Sequence, residues 1–394
     1  MKLNKWTLGL AAVGAVSMAS AVRADEAKLS ALNTAISGTT ISGYVDVAAQ
    51  YNFGDPSGIR GPVAYNQPAG LSNGKIDNFS VNNVTISLDK ALDESPWASG
   101  YHIDLNAGSD AITPLNSGVE GGKISAVGIR QGYVTLRTPV GNGIDWKVGL
   151  FDGVTGYESN TGYANPNYTR SFGYQVNPAS EAGAIGSYNV TKNINVQLGM
   201  GNRMSGTSVG LSSHDYIAAV ALTAPDSWGF LKGSVLNFGT VQTFDNGGIN
   251  NYNVNATLNT PVTGLKVGLS YDIVQSLQTT SGIGGGAQDG NIYGVYANYQ
   301  ATQKLGLNLR AEYLDSKELP YVGSTYYSWY NVYGKAEEVT ATVQYDLWAN
   351  VVSRLEVRWD HAESGKAYNS NNNGNSYVSN ENAFLVALNL VYKF

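Results

Sequence analysis

Residues 265–273 read LKVGLSYDI, and the fold turns on that nonapeptide. Leu265, Val267, Leu269, Tyr271 and Ile273 alternate with Lys266, Gly268, Ser270 and Asp272. A period of two places these sets on opposite faces of a β-strand, one apolar and one polar or small. The pattern recurs at Tyr252, Val254, Ala256 and Leu258 against Asn253, Asn255, Thr257 and Asn259. It recurs at Leu305, Leu307, Leu309, Ala311 and Tyr313 against Gly306, Asn308, Arg310 and Glu312, and over 41–53, 144–150 and 339–347.

Carried along the chain, this reading predicts strands over 41–53, 79–89, 97–108, 127–138, 144–151, 181–190, 194–203, 215–223, 228–240, 251–260, 265–275, 291–300, 304–315, 337–347, 351–362 and 383–394. Glycines and out-of-phase residues such as Arg130 and Lys232 blur 79–89, 127–138, 181–190 and 228–240, so the count stands at about 16. Short connections at 90–96, 139–143, 191–193, 224–227, 261–264, 301–303 and 348–350 are rich in residues that supply the fixed or positive φ of tight turns. Between them lie long polar segments at 54–78, 109–126, 152–180, 204–214, 241–250, 276–290, 316–336 and 363–382. Short turns on one rim and long loops on the other predict an all-β fold: a transmembrane antiparallel β-barrel, with periplasmic turns and extracellular loops.

Composition agrees. Charged residues make up 14% of the chain, against about 25% in typical soluble domains. There are 47 glycines, 26 tyrosines and no cysteines, so no disulfide framework is available. Lys2 and Lys5 followed by an uncharged stretch, Trp6 to Met18, and small residues up to Ala24 predict a cleaved secretory leader over 1–24. Cleavage after Ala21 is the alternative. Residues 25–40 are expected to form a short periplasmic segment and 41–394 the barrel. Of 24 basic side chains, Lys2, Lys5 and Arg23 leave with the leader, so 21 face 30 acidic ones, which argues against nucleic acid as a partner.

Aromatic residues mark both ends of the strands. Trp97, Trp146, Trp228, Tyr345 and Trp348 lie beside short turns, and Tyr51, Phe53, Tyr216, Phe238, Tyr271, Tyr313 and Trp359 lie toward long loops. Amphipathic rings favour the headgroup level of a bilayer, so these predict two girdles in contact with outer-membrane lipid. In the final strand Val386, Leu388, Leu390 and Tyr392 alternate up to a carboxyl-terminal Phe394. That ending is similar to the signal by which outer-membrane barrels are recognised by the barrel-assembly machinery.

One stretch is more specific. QGYVTLRTPVGNGIDWKVGLFD (131–152), GYE (156–158) and NPNYTRSF (165–172) together resemble the OmpL-like β-barrel porin family. The motifs cover about residues 127–190, and the barrel pattern extends to 394. The resemblance implies an outer-membrane pore, without an assigned substrate or defined catalytic residues.

The inward positions are polar, and burying so many unpaired would cost several kcal/mol each. A barrel of about 16 strands leaves a water-filled channel, so the expected function is passive diffusion of small polar solutes or ions. Arg310 and Glu312 share an inward face, as do Arg354, Glu356, Arg358 and Asp360 two strands later. These charges either line the pore or pair with each other and stiffen the wall. Segment 152–180 carries Glu158 and Arg170, with Arg130 and Lys147 on the strands leading into it. It either folds inward as a constriction or stays outside as an ordinary loop. His102, His214 and His361 are dispersed without metal-site spacing, and no Ser–His–carboxylate set assembles. No enzyme activity, cofactor or metal is expected. A solute-selective channel and a structural or adhesive barrel with a blocked lumen are the rival readings, and a homotrimer is left open.

Overall fold

The turn at Pro139–Gly143 shows how the sequence starts a hairpin. Gly141 and Gly143 take φ of +59° and +90°, values that side-chain-bearing residues disfavour. The Gly143 N–H donates to the Val140 carbonyl at 3.0 Å, and pairing then runs from Thr138↔Ile144 to Gly132↔Leu150.

The computed structural model describes residues 38–53, 78–110, 127–205, 208–243, 249–276, 289–316, 334–363, 368–369 and 378–394. The expected leader and most of segment 25–40 lie outside the described residues, as do most of 54–78, 109–126, 276–290 and 316–336. The strands are β1 (Thr40–Phe53), β2 (Asn78–Lys90), β3 (Ser99–Ala107), β4 (Gly128–Thr138), β5 (Ile144–Asp152), β6 (Ser180–Thr191), β7 (Ile194–Ser205), β8 (Ser208–Thr223) and β9 (Val235–Thr243). They continue as β10 (Ile249–Asn259), β11 (Leu265–Ser276), β12 (Asp289–Gln300), β13 (Leu305–Ser316), β14 (Gly334–Trp348), β15 (Val351–Ala362), β16 (Tyr368–Asn369), β17 (Val378–Asn380) and β18 (Asn382–Lys393). β16 and β17 form a small separate hairpin, and the other 16 close into one antiparallel barrel.

Closure is made by β1 against β18, from Tyr44↔Lys393 to Phe53↔Phe384. Gly43 and Phe394 exchange both backbone hydrogen bonds at 3.0 Å. Only glycine fits this seam: a Cβ at Gly43 would lie 2.6 Å from Phe394 Cζ and 2.2 Å from the Thr85 carbonyl oxygen. A closed sheet has no edge left to pair with another chain.

The two faces follow the alternation. Leu269 is 44% exposed on the outer surface while its neighbour Ser270 is 7% exposed. Leu307, Leu309, Leu355, Val357, Leu388 and Leu390 also face outward, and Trp97, Trp228, Trp348 and Phe394 stand exposed at the short-turn rim. Tyr51, Phe53, Phe79, Tyr216 and Phe384 stand exposed at the other rim.

The structure corrects the strand reading in two places. Residues 226–231 form a 3₁₀ turn and β9 starts only at Val235, because Ala224 pairs back with Ser234 and Gly233. Segment 204–214, expected as a loop, is mostly strand, with Met204↔Val209 and Ser205↔Ser208 extending the β7–β8 hairpin. The blurred alternation has a cause as well. The register shifts between Asp104 and Leu105 opposite β4, so Arg130 and Gln131 both turn inward and are buried. A second shift opposite Asp46 and Val47 does the same for Asn82 and Asn83.

Candidate functional site

Between β5 and β6 the chain runs into the barrel as a strap, residues 153–179, which contacts the lumen wall from β9 round to β1. Its base is tied where the Gly153 N–H donates to the Ala179 carbonyl at 3.0 Å. The strap also holds its own shape. The Asn165 amide takes the Ser159 N–H and gives to its carbonyl, both at 2.8 Å. Arg170 donates to the Ser159 and Asn160 carbonyls at 2.7 and 2.9 Å, and its guanidinium lies 4.6 Å from the Tyr174 ring centre. A one-turn helix, α1 (Phe172–Val176), starts at Ser171, whose Oγ accepts the Tyr174 N–H.

The far wall grips the strap by its main chain. Glu356 accepts the N–H groups of Tyr168 and Thr169 at 2.5 and 2.8 Å. Glu312 accepts those of Phe172 and Gly173, the latter at 3.2 Å. Arg354 donates to the carbonyls of Gly162, Asn165 and Asn167 at 3.2, 2.8 and 3.1 Å. Arg358 donates to the Arg170 carbonyl at 2.6 Å and holds Asp360 at 2.8 Å. Arg310 lies at the centre, donating to Glu158 and to the Thr169 carbonyl at 2.7 Å each and to Glu338 at 2.9 Å. Charge-assisted hydrogen bonds of this kind are roughly twice as strong as neutral ones. An apolar contact adds to them, as Phe172 packs with Ile292, Leu314 and Ala336.

Side-chain contacts complete the docking. Asn167 donates to Thr342 at 2.8 Å, Asn177 to Asp272 at 2.6 Å, and the Tyr168 hydroxyl to Gln50 at 3.3 Å. Tyr157 stacks on Tyr296 at 4.0 Å. A Cβ on Gly268 would come within 2.1 Å of the Tyr157 hydroxyl, so the bare backbone of β11 makes the seat for that ring. Burial pushes the phenols of Tyr157 and Tyr174 above their ordinary pKa.

Arg310, Glu312, Arg354, Arg358, Glu158 and Arg170 thus come together in one network, with Arg310, Arg354 and Arg358 at most 1% exposed. Arg130 and Lys147 stand apart on β4 and β5. Arg130 bridges Asp104 at 2.5 Å and Asp152 at 2.8 Å, and Lys147 lies over the Tyr133 ring at 5.0 Å. Glu338 was missed as a site residue, although it falls in phase with Thr340 and Thr342 on the inward face of β14. The same phase argument reaches it. Among the described residues, no group of three or more His, Asp and Glu is arranged to hold a metal ion.

Several solved barrels share the fold. The anion-selective porin of Comamonas acidovorans is 11% identical, with a TM-score of 0.57, over 90% of this chain and 99% of that one. The trimer form of OmpT from Vibrio cholerae is 12% identical with a TM-score of 0.57 over 90% and 99%. The outer-membrane channel DcaP of Acinetobacter baumannii is 13% identical with a TM-score of 0.53 over 90% and 97%. No curated protein matches the chain by sequence. A family profile described as "Putative beta-barrel porin-2, OmpL-like" matches residues 38–394, so the chain belongs to that family of OmpL-like β-barrel porins.

Proposed function

We propose that this porin carries out passive diffusion of small polar solutes through a water-filled lumen in the outer membrane, with the strap as its constriction. The observation that carries this reading is the division of labour in the wall. Apolar side chains face out all round the closed sheet, and the inner face is polar, covered among the described residues by the strap and by no second sheet. In this reading Arg310, Glu312, Arg354 and Arg358 are the anchors of the strap, Glu158 and Arg170 brace it, and Arg130 and Lys147 stand on the wall at its root. Removal of leader 1–24, assembly through the strand that ends in Phe394, contact with outer-membrane lipid, and a channel without enzymatic chemistry belong to the same proposal. A homotrimer is proposed by analogy with the trimer form of OmpT.

Planar-bilayer recording tests it. Purified protein should produce stepwise ohmic conductance, unsaturated as salt rises. A folded barrel that never conducts would support the blocked, structural alternative, and saturation would support a selective binding site.

A further inference from the structure

The lumen wall is divided by chemistry, and the strap is gripped by charge on one half only, touching the other through a few neutral contacts such as Asn255 to the Gly156 carbonyl at 3.2 Å. Much of the inward face of β13–β15 is charged, and those charges are buried, held on the strap's main chain or on one another. On β7, β9 and β10 the inward positions include Asn195, Gln197, Asn237, Asn253, Asn255 and Thr257, none of which carries a charge, and the intervening β8 places one buried carboxylate, Asp215, on the Thr243 hydroxyl. Amides link to one another here: Asn237 donates to Asn255 at 3.0 Å, Asn255 to Asn253 at 2.5 Å and Gln197 to Asn195 at 3.2 Å, with Asn253 donating onward to Asp272 at 2.6 Å.

Open space lies on this neutral half. A cavity of about 220 Å³ lies between the root of the strap and Gln197, Asn237 and Thr257, bordered by Asn255 where its amide donates to the Gly156 carbonyl at 3.2 Å. A second, of about 240 Å³, shares Tyr157, Ser159 and Thr257 with it and reaches Tyr296. Asp152 and Glu158 also border these spaces, and both are neutralised, by Arg130 at 2.8 Å and by Arg310 at 2.7 Å.

We infer that solutes cross beside the strap on the β7–β10 side, along a slot suited to neutral polyhydroxylated molecules of monosaccharide size. This rests on the channel reading above and adds where the path lies and what it favours. Each primary amide presents both donors and an acceptor, so it can exchange hydrogen bonds with hydroxyl groups that give and take alike. A chain of weak sites of this kind lets a solute enter and leave. An ion gains nothing comparable, because no unpaired charge among the described lining residues attracts it in the narrow passage.

The chain has no cysteine, so thiol labelling maps the path cleanly. Asn237→Cys treated with a bulky methanethiosulfonate should lose conductance several-fold, while the untreated variant and treated wild type keep it. Gln197→Cys is the second position should Asn237→Cys fold poorly. In liposome swelling, glucose should enter faster than gluconate and faster than glucosamine, three solutes of one size and different charge. Asn255→Asp should shift the reversal potential toward cations. Conductance that persists after labelling at both positions, or either charged sugar outrunning glucose, overturns this inference while leaving the channel intact. A folded protein showing neither conductance nor swelling removes the channel reading and this inference with it.

Discussion

Arg310 holds two carboxylates and a strap carbonyl, as well as the Thr169 and Thr340 hydroxyls, from one guanidinium, with none of its surface exposed. Truncating one member of such a buried set leaves the others charged and unpaired, at a cost of about 3–5 kcal/mol. Arg310→Ala is expected to free the strap from β13–β15 without opening the barrel, whose ladders it does not touch. Single-channel conductance should rise, with noisier open-state current. Arg310→Lys keeps the charge but loses the planar fork, so it should fall between the two. Unchanged conductance in Arg310→Ala would mean the strap stays in place without its central anchor.

At the scale of the strand, facing decides tolerance. Leu269 and Thr257 lie at nearly the same depth, since Thr257 pairs with Gly268 and Ala256 with Leu269. Leu269 points outward and Thr257 borders the lumen cavity. An arginine on the lipid face costs roughly 2–4 kcal/mol at mid-membrane, so Leu269→Arg should lower the yield of folded barrel and Thr257→Arg should not. Equal yields on a heat-modifiability gel would contradict the assignment of faces. The same two-residue rhythm made nearly every strand legible in the sequence. It failed at Arg130–Gln131 and Asn82–Asn83 because a bulge depends on the partner strand, which local periodicity does not encode. The docking of the strap was illegible for a stronger version of that reason. Its contacts join residues as far apart as Gly162 and Arg354, 192 positions along the chain, and only ring closure brings those strands round to face β5. The charges of β13 and β15 were readable as inward, but their partner was main chain, which carries no residue-type signal.

For the whole molecule, closure at Gly43 and Phe394 is the step on which the rest depends. Deleting Phe394 removes both hydrogen bonds to Gly43 and the ring seated against it. Outer-membrane yield should drop sharply, while any barrel that does assemble should conduct as wild type does. Normal yield would show that the terminal residue is dispensable for insertion. Closure also sets the order of events, because a wall that spans β13–β15 and β1 can receive the strap only once it has curved round. A further consequence lies in how the grip is made. Glu312, Glu356, Arg354 and Arg358 read amides and carbonyls of the strap, and those groups are the same whatever side chain stands above them. Many strap positions are therefore released from the duty of holding it in place. Selection can revise the exit width or polarity of the slot one substitution at a time, drawing on variation that would be lethal in a plug held by its side chains.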